Sequence, residues 1–127
     1  MTPTFLSLEE VLEIHEDQLA RYGGRPGLLS LALLESALAQ PQTSFEGQYL
    51  MSDLFEMAAA YLFHLVQNHP FNDGNKRVGA VAAIVFLLTN GQDINLTEEE
   101  LETVVLETAM GKLDRERIAI LLRTHAA

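Results

Sequence analysis

The 127-residue chain contains no cysteine. Disulfides, thiolate zinc sites and cysteine nucleophiles are therefore excluded. Cations are scarce: 8 lysines and arginines stand against 18 acidic residues, a formal net charge of −10. Direct binding to nucleic acid or to an anionic membrane is not expected, because it draws on clustered cations that release counterions. Long apolar runs are missing too. The longest, Val78–Leu88, is 11 residues, short of the roughly 18 needed to span a bilayer. Met1–Phe5 holds no basic residue before the first apolar stretch, so a secretory signal is not expected. The expectation is a soluble, cytoplasmic protein. Strict apolar–polar alternation is weak, and there is no internal repeat or low-complexity segment. What is present is globular in character, with 48% apolar and 20% charged residues. The length corresponds to one domain over residues 1–127. A domain of that size buries roughly two-thirds of its unfolded surface.

The remaining signals are helical. Ser7-Leu8-Glu9-Glu10 is a capping box, followed by Leu8, Val11, Leu12, His15 and Leu19 at helical spacing. Tyr22-Gly23-Gly24-Arg25-Pro26-Gly27 stops that helix with a run of breakers. A second helix is expected from about Leu31 to Ala39, ended by Pro41. Residues Pro41–Leu50 show no clear period and are expected to form an ordered loop or a short hairpin. Ser52-Asp53 opens a third helix, whose stripe is Leu54, Met57, Ala58, Tyr61, Leu62 and Leu65. A fourth runs from Asn75 to Thr89, is apolar on nearly every side, and ends at Asn90-Gly91. Thr97-Glu98-Glu99-Glu100 starts a fifth, to about Met110, its acidic run favoured by the helix dipole. Asp114 caps a sixth, to Arg123. The fold class is all-α, a bundle of about six helices around the Val78–Leu88 helix.

Charge placement narrows the search for function. Between Pro26 and Gly111 the only lysine or arginine residues are Lys76 and Arg77, adjacent and at the start of the most apolar helix. A buried charge is costly unless paired, so these cations have another use. They close the run His69-Pro70-Phe71-Asn72-Asp73-Gly74-Asn75-Lys76-Arg77. A helix N-terminus offers unpaired backbone N–H groups and the positive dipole end, a ready phosphate site. Gly74 lets the backbone approach a ligand closely. Lys76 and Arg77 add full charges, and Arg77 can grip phosphate oxygens bidentately. Asp73 is a hard oxygen ligand, and one carboxylate plus substrate phosphates is a common way to hold Mg²⁺. His69 can act as a general base near neutral pH. Phe71 would pin the loop into the core. Together these parts suit phosphoryl or nucleotidyl transfer, which needs positioning, a metal and charge neutralisation. The plainer alternative is an ordinary Asn-Asp-Gly turn beside a solvated cation pair.

The nine-residue run resembles the signature of the Fic/Doc family, His-x-Phe-x-Asp/Glu-Gly-Asn-Gly/Lys-Arg. Arg21-Tyr22-Gly23-Gly24 and Leu33-Leu34-Glu35-Ser36-Ala37-Leu38-Ala39-Gln40-Pro41 further resemble its death-on-curing toxin branch. The resemblance implies a compact helical bundle with the motif between two central helices. It also implies a transferase that uses a nucleoside triphosphate such as ATP, with Mg²⁺, to modify a protein hydroxyl. By position, His69 would be the base, Asp73 the metal ligand, and Gly74, Asn75, Lys76 and Arg77 the anion hole. AMP transfer is the common Fic activity, whereas the Doc branch is associated with phosphate transfer to a translation elongation factor. Lys76 stands where Fic proteins usually have glycine, and Ala80 where they carry a second arginine. Both departures are shared with the Doc-like branch and favour phosphate transfer. The segment Leu28–Leu33 lacks an acidic residue often found in Doc relatives.

Some Fic proteins carry their own inhibitory helix, with Ser/Thr, three residues, Glu and then Gly or Asn. The nearest candidate is Glu46-Gly47, but Gln42 occupies the Ser/Thr position. An antitoxin on a separate chain is the expected inhibitor. A catalytically silent antitoxin-binding module and a metal-dependent ribonuclease are the alternatives from other classes, the latter disfavoured by the net charge. Among other residues, His15 is expected in the core and His125 in a tail. His64 and His69, five apart, do not share a helix face, so no zinc pair is expected. Tyr61 and Phe63 are expected in the core or at its rim.

Overall fold

The polar residues that open the expected helices do so through their side chains. In a computed structural model, which describes residues 2–127, Ser7, Asp53, Thr97 and Asp114 each accept a hydrogen bond from the backbone N–H three residues on. Glu10 and Glu100 return the bond to their caps, completing both capping boxes. Among the described residues six helices result: α1 (Leu8–Tyr22), α2 (Leu31–Ala39), α3 (Leu54–Asn68), α4 (Asn75–Thr89), α5 (Glu98–Ala109) and α6 (Arg115–Thr124). The all-α class agrees with the sequence pattern. None of the helices is long and apolar enough to cross a membrane.

The Pro41–Leu50 segment is a short 3-10 turn, Gln40–Gln42, followed by a small antiparallel hairpin. Its strands are β1 (Ser44–Phe45) and β2 (Gln48–Tyr49), with Ser44 opposite Tyr49. Glu46 and Gly47 turn the hairpin with φ of 51° and 80°, the left-handed pair a tight two-residue turn requires. Glu46-Gly47 is therefore a hairpin tip, not part of an inhibitory helix.

The centre of the bundle lies one helix earlier than the apolar pattern implies. α3 packs against α2, α4, α5, α6 and the 3-10 turn, whereas α4 packs mainly on α3, α1 and α5. Met57 to Leu62 are all buried, six consecutive residues covering the whole circumference of α3. Ala58, Ala59 and Ala60 are short enough to admit neighbours on every side. α4 instead leaves Leu88 exposed at its far end. α3 and α4 meet closely where Gly79 faces α3: a Cβ there would lie 3.0 Å from Val66 Cγ2 and 3.1 Å from the Leu62 carbonyl. This contact fixes the end of α3 against the start of α4, and so fixes the loop His69–Gly74 between them. α1 crosses α4 and presents its C-terminal half to that loop.

Candidate active site

α3 ends on His69, which adopts a left-handed conformation (φ 49°, ψ 56°) and is exposed. Such a backbone is uncommon for a residue with a Cβ; here it turns the chain sharply back toward the core. Phe71 then buries completely, as its expected pinning role requires. Asn75 locks the turn from the other side. Its Oδ1 accepts from the Phe71 N–H (3.0 Å) and its Nδ2 donates to the Phe71 carbonyl (2.9 Å). The Asn75 side chain is thus committed to the loop and buried, which leaves only its backbone N–H as a donor for any anion.

The chain following α1 forms the outer wall. The Pro70 carbonyl accepts from the N–H groups of Leu29 (2.8 Å) and Ser30 (3.2 Å), and the Asn72 N–H donates to the Gly27 carbonyl (3.0 Å). Asn72 Nδ2 donates to the Pro26 carbonyl at 2.9 Å. Residues 25–30 lie edge to edge with the motif loop, with Leu28 bridged to Phe71. In the sequence these residues read only as a helix stop, because pairing between loops leaves no periodic signature.

Asp73 is held at both carboxylate oxygens. The Arg25 N–H donates to Oδ2 (3.1 Å) and the Gly74 N–H to Oδ1 (2.9 Å). These two bonds, the Arg25 one first, hold its carboxyl below the usual range, and the charges of Arg77 and Arg25 add to the effect. Each oxygen keeps a free lone pair, and the residue is part-exposed. That suits one carboxylate ligand to a hard cation whose other ligands come from phosphates and water. Among the described residues no group of three or more His, Asp or Glu could form a self-sufficient metal cage.

Gly74 precedes α4 in a left-handed conformation (φ 81°, ψ 10°), with no side chain capping the helix. The first helical bond runs from the Val78 N–H to the Gly74 carbonyl (2.9 Å). The N–H groups of Asn75, Lys76 and Arg77 therefore have no acceptor within the helix, and they gather at the positive end of its dipole. Lys76 is exposed beside them. Arg77 reaches back to α1, donating to the Gly23 carbonyl (3.0 Å) and more weakly to that of Gln18 (3.4 Å), and lies over the Tyr22 ring. An open groove of about 450 Å³ continues from Lys76 and Arg77 past Ala80 to Leu101 and Leu106 of α5.

Two residues are more closely tied to the site than sequence reasoning implied. Gly24 passes so near that an added Cβ would meet Asp73 Oδ2 at 2.9 Å and Arg77 Nη2 at 3.2 Å. His15 is indeed buried and hydrogen-bonded, but its partner is the motif loop itself: Nε2 lies 2.9 Å from the Asp73 carbonyl. Its helical position on α1 was legible, its partner 58 residues away was not. His64 faces Arg115 of α6, 3.4 Å from Nη1. Burial and, secondarily, that charge push its pKa down. His125 does not hang in a free tail. It bonds the Leu121 carbonyl through Nδ1 and sits 3.6 Å from Glu100, beside the Ile94–Ala126 bridge. Tyr61 is a core residue whose hydroxyl accepts from the Leu6 N–H (3.0 Å). Burial there pushes its pKa up to about 12.

Comparison with known proteins falls on the same segments. The family model described as "Fic/DOC family" matches residues 5–87, from just before α1 through most of α4. "Protein kinase doc" of Escherichia phage P1 is 32% identical over 118 residues, covering 93% of this chain and 92% of that protein. "Toxin Doc" of Mycolicibacterium smegmatis is 34% identical over 108 residues, covering 84% and 83%. With the signature loop set between two packed helices and matches of this extent, the chain belongs to the Fic/Doc family.

Proposed function

We propose that the protein is the toxin of a toxin–antitoxin pair and that it transfers the terminal phosphate of ATP, or another nucleoside triphosphate, to a hydroxyl of a target protein. A translation factor is the target the family resemblance suggests. The observation that carries this reading is the pairing at one loop of an exposed imidazole, His69, with an uncommitted helix N-terminus, the N–H groups of residues 75–77. The names of the phage P1 and mycobacterial relatives support the kinase and toxin parts respectively.

In this mechanism His69 takes the proton of the target hydroxyl as its oxygen attacks the terminal phosphorus. The bond from that phosphorus to the bridging oxygen breaks, and the nucleoside diphosphate leaves. The helix N-terminus, Lys76 and Arg77 hold the phosphate oxygens throughout. Asp73 would hold Mg²⁺, which when bound neutralises charge on the phosphates. Phe71, Asn75 and the paired wall 25–30 keep these groups in register. An antitoxin segment entering the groove beside Lys76 and Arg77 would deny them to the nucleotide.

The test is ATP labelled at the α or the γ position, incubated with Mg²⁺, the protein and extract of its host, followed by mass spectrometry of the modified protein. Incorporation of the γ label and a gain of one phosphate is expected, and is lost in His69→Ala. Incorporation of the α label establishes AMP transfer instead. No incorporation of either label, with binding to an antitoxin intact, leaves the silent binding module. Cleavage of labelled RNA would establish the ribonuclease.

A further inference from the structure

Asp73 can serve the proposed reaction only if its carboxylate is aimed outward, and the carbonyl of the peptide that aims it has no hydrogen-bond donor on its own loop. The Gly74 N–H that anchors Oδ1 belongs to the Asp73–Gly74 peptide. In a trans peptide the N–H and C=O point in opposite directions across a rigid plane. Fixing the carbonyl therefore fixes the N–H. That carbonyl accepts from His15 Nε2 at 2.9 Å, across from α1. A carbonyl can only accept, so the His15 imidazole carries its proton on Nε2.

The His15 ring is itself held. It is buried, and it stacks on Phe71 with centroids 3.8 Å apart and planes 10° from parallel. Phe71 is the buried anchor of the same loop, bonded in turn to Asn75. The ring also closes on Gly74, where a Cβ would lie 3.7 Å from its Cδ2. His15 thus touches the loop at Phe71, Asp73 and Gly74. It spans the turn from its buried end to the start of α4.

We propose that His15 is a positioning residue for the Asp73 carboxylate, acting through the Asp73–Gly74 peptide plane. It touches no substrate and transfers no proton. The proposal rests on the reading of Asp73 as the metal ligand. Partners that orient a metal ligand from behind are worth about 10- to 100-fold in metal affinity.

Three variants separate the donor from the ring. His15→Phe keeps the stack on Phe71 and removes the N–H. His15→Gln places an amide nitrogen where Nε2 stood. His15→Asn carries a donor that reaches only as far as Nδ1. The first readout needs no activity: the Gly74 amide proton resonance and its hydrogen exchange in the metal-free protein, by NMR. In His15→Phe and His15→Asn the Gly74 amide is expected to move upfield and exchange faster, as the bond to Oδ1 loosens. In His15→Gln both return toward wild type. The second readout is the Mg²⁺ concentration giving half-maximal transfer of the γ label, expected to rise about 10-fold or more in Phe and Asn, with kcat largely recovered at saturating Mg²⁺. A folded His15→Phe with an unchanged Gly74 amide overturns the proposal. So does a His15→Gln that behaves like His15→Phe in both readouts. If the Phe variant does not fold, the Gln and Asn pair decides by the same criteria. Failure of wild type to transfer label from ATP removes the phosphate-transfer reading, while the NMR comparison still decides the role of His15.

Discussion

Gly24 offers a sharp test of how closely the α1–α2 loop is fitted to the site. Its φ is +126°, a backbone conformation that residues with a Cβ rarely adopt, and alanine there would bring Cβ to 2.9 Å from both Asp73 Oδ2 and Leu19 Cδ2. The backbone strain alone is worth about 1–3 kcal/mol. For a chain of this length that is a fall of roughly 4–12 °C in Tm, at about 4 °C per kcal/mol. The steric effect is separate. Asp73 must retreat from the new methyl group, loosening its bond to the neighbouring Arg25 N–H. Restoring an ordinary contact of 3.4 Å moves the carboxylate oxygen by about half an ångström; as about 1 Å of misplacement can cost on the order of 100-fold in rate, about 10-fold is expected here. Gly91→Ala is the matched control: its φ of +83° is also left-handed, nothing lies within 4 Å of the added Cβ, and it follows the opposite end of α4. Thermal melting by circular dichroism and transfer of the γ label from ATP should be measured on both. Both variants should melt lower than wild type, and Gly24→Ala alone should lose activity, by about 10-fold. A folded Gly24→Ala with the transfer rate of Gly91→Ala would refute the argument that this loop constrains Asp73.

Asn75→Ala leaves the Phe71 N–H and carbonyl without their partners in a buried loop, at about 1–3 kcal/mol for each group; the urea midpoint should fall accordingly, with transfer lost while helical content is retained. His64 has a folded pKa below its ordinary 6.5, from burial first and Arg115 second, so the folded state binds fewer protons there than the unfolded one. Its contribution is complete above pH 6.5 and is lost as pH falls below that value through the folded pKa; urea midpoints against pH should show this slope, and His64→Gln should flatten it. Lys76→Gly removes an exposed cation beside the helix N-terminus and opens room at the backbone. It should lower transfer of the γ label and admit transfer of the α label, read with the two labelled forms of ATP; unchanged γ transfer would show that Lys76 does not govern which phosphate reacts.

The sequence by itself determined the local elements. Ser7, Asp53, Thr97 and Asp114 mark their helix starts because an N-cap is satisfied by backbone only three residues away. The nine residues from His69 to Arg77 were legible for the same reason: the chemistry of a helix N-terminus is contiguous in the chain. Tertiary structure alone decided which helix lies at the centre. Apolar periodicity measures how much of a helix can be buried, not how many neighbours reach it: α2, α5 and α6 as well as α4 pack on α3, although both helices carry three alanines. It also decided how the loop is held. His15 meets the Asp73 carbonyl across 58 residues, and Gly24 lies against the Asp73 carboxylate across the loop pairing of residues 25–30 with 70–72. These contacts join α1 and the loop after it to a second loop far along the sequence. They depend on where two stretches of the chain cross, and no spacing within either stretch encodes that.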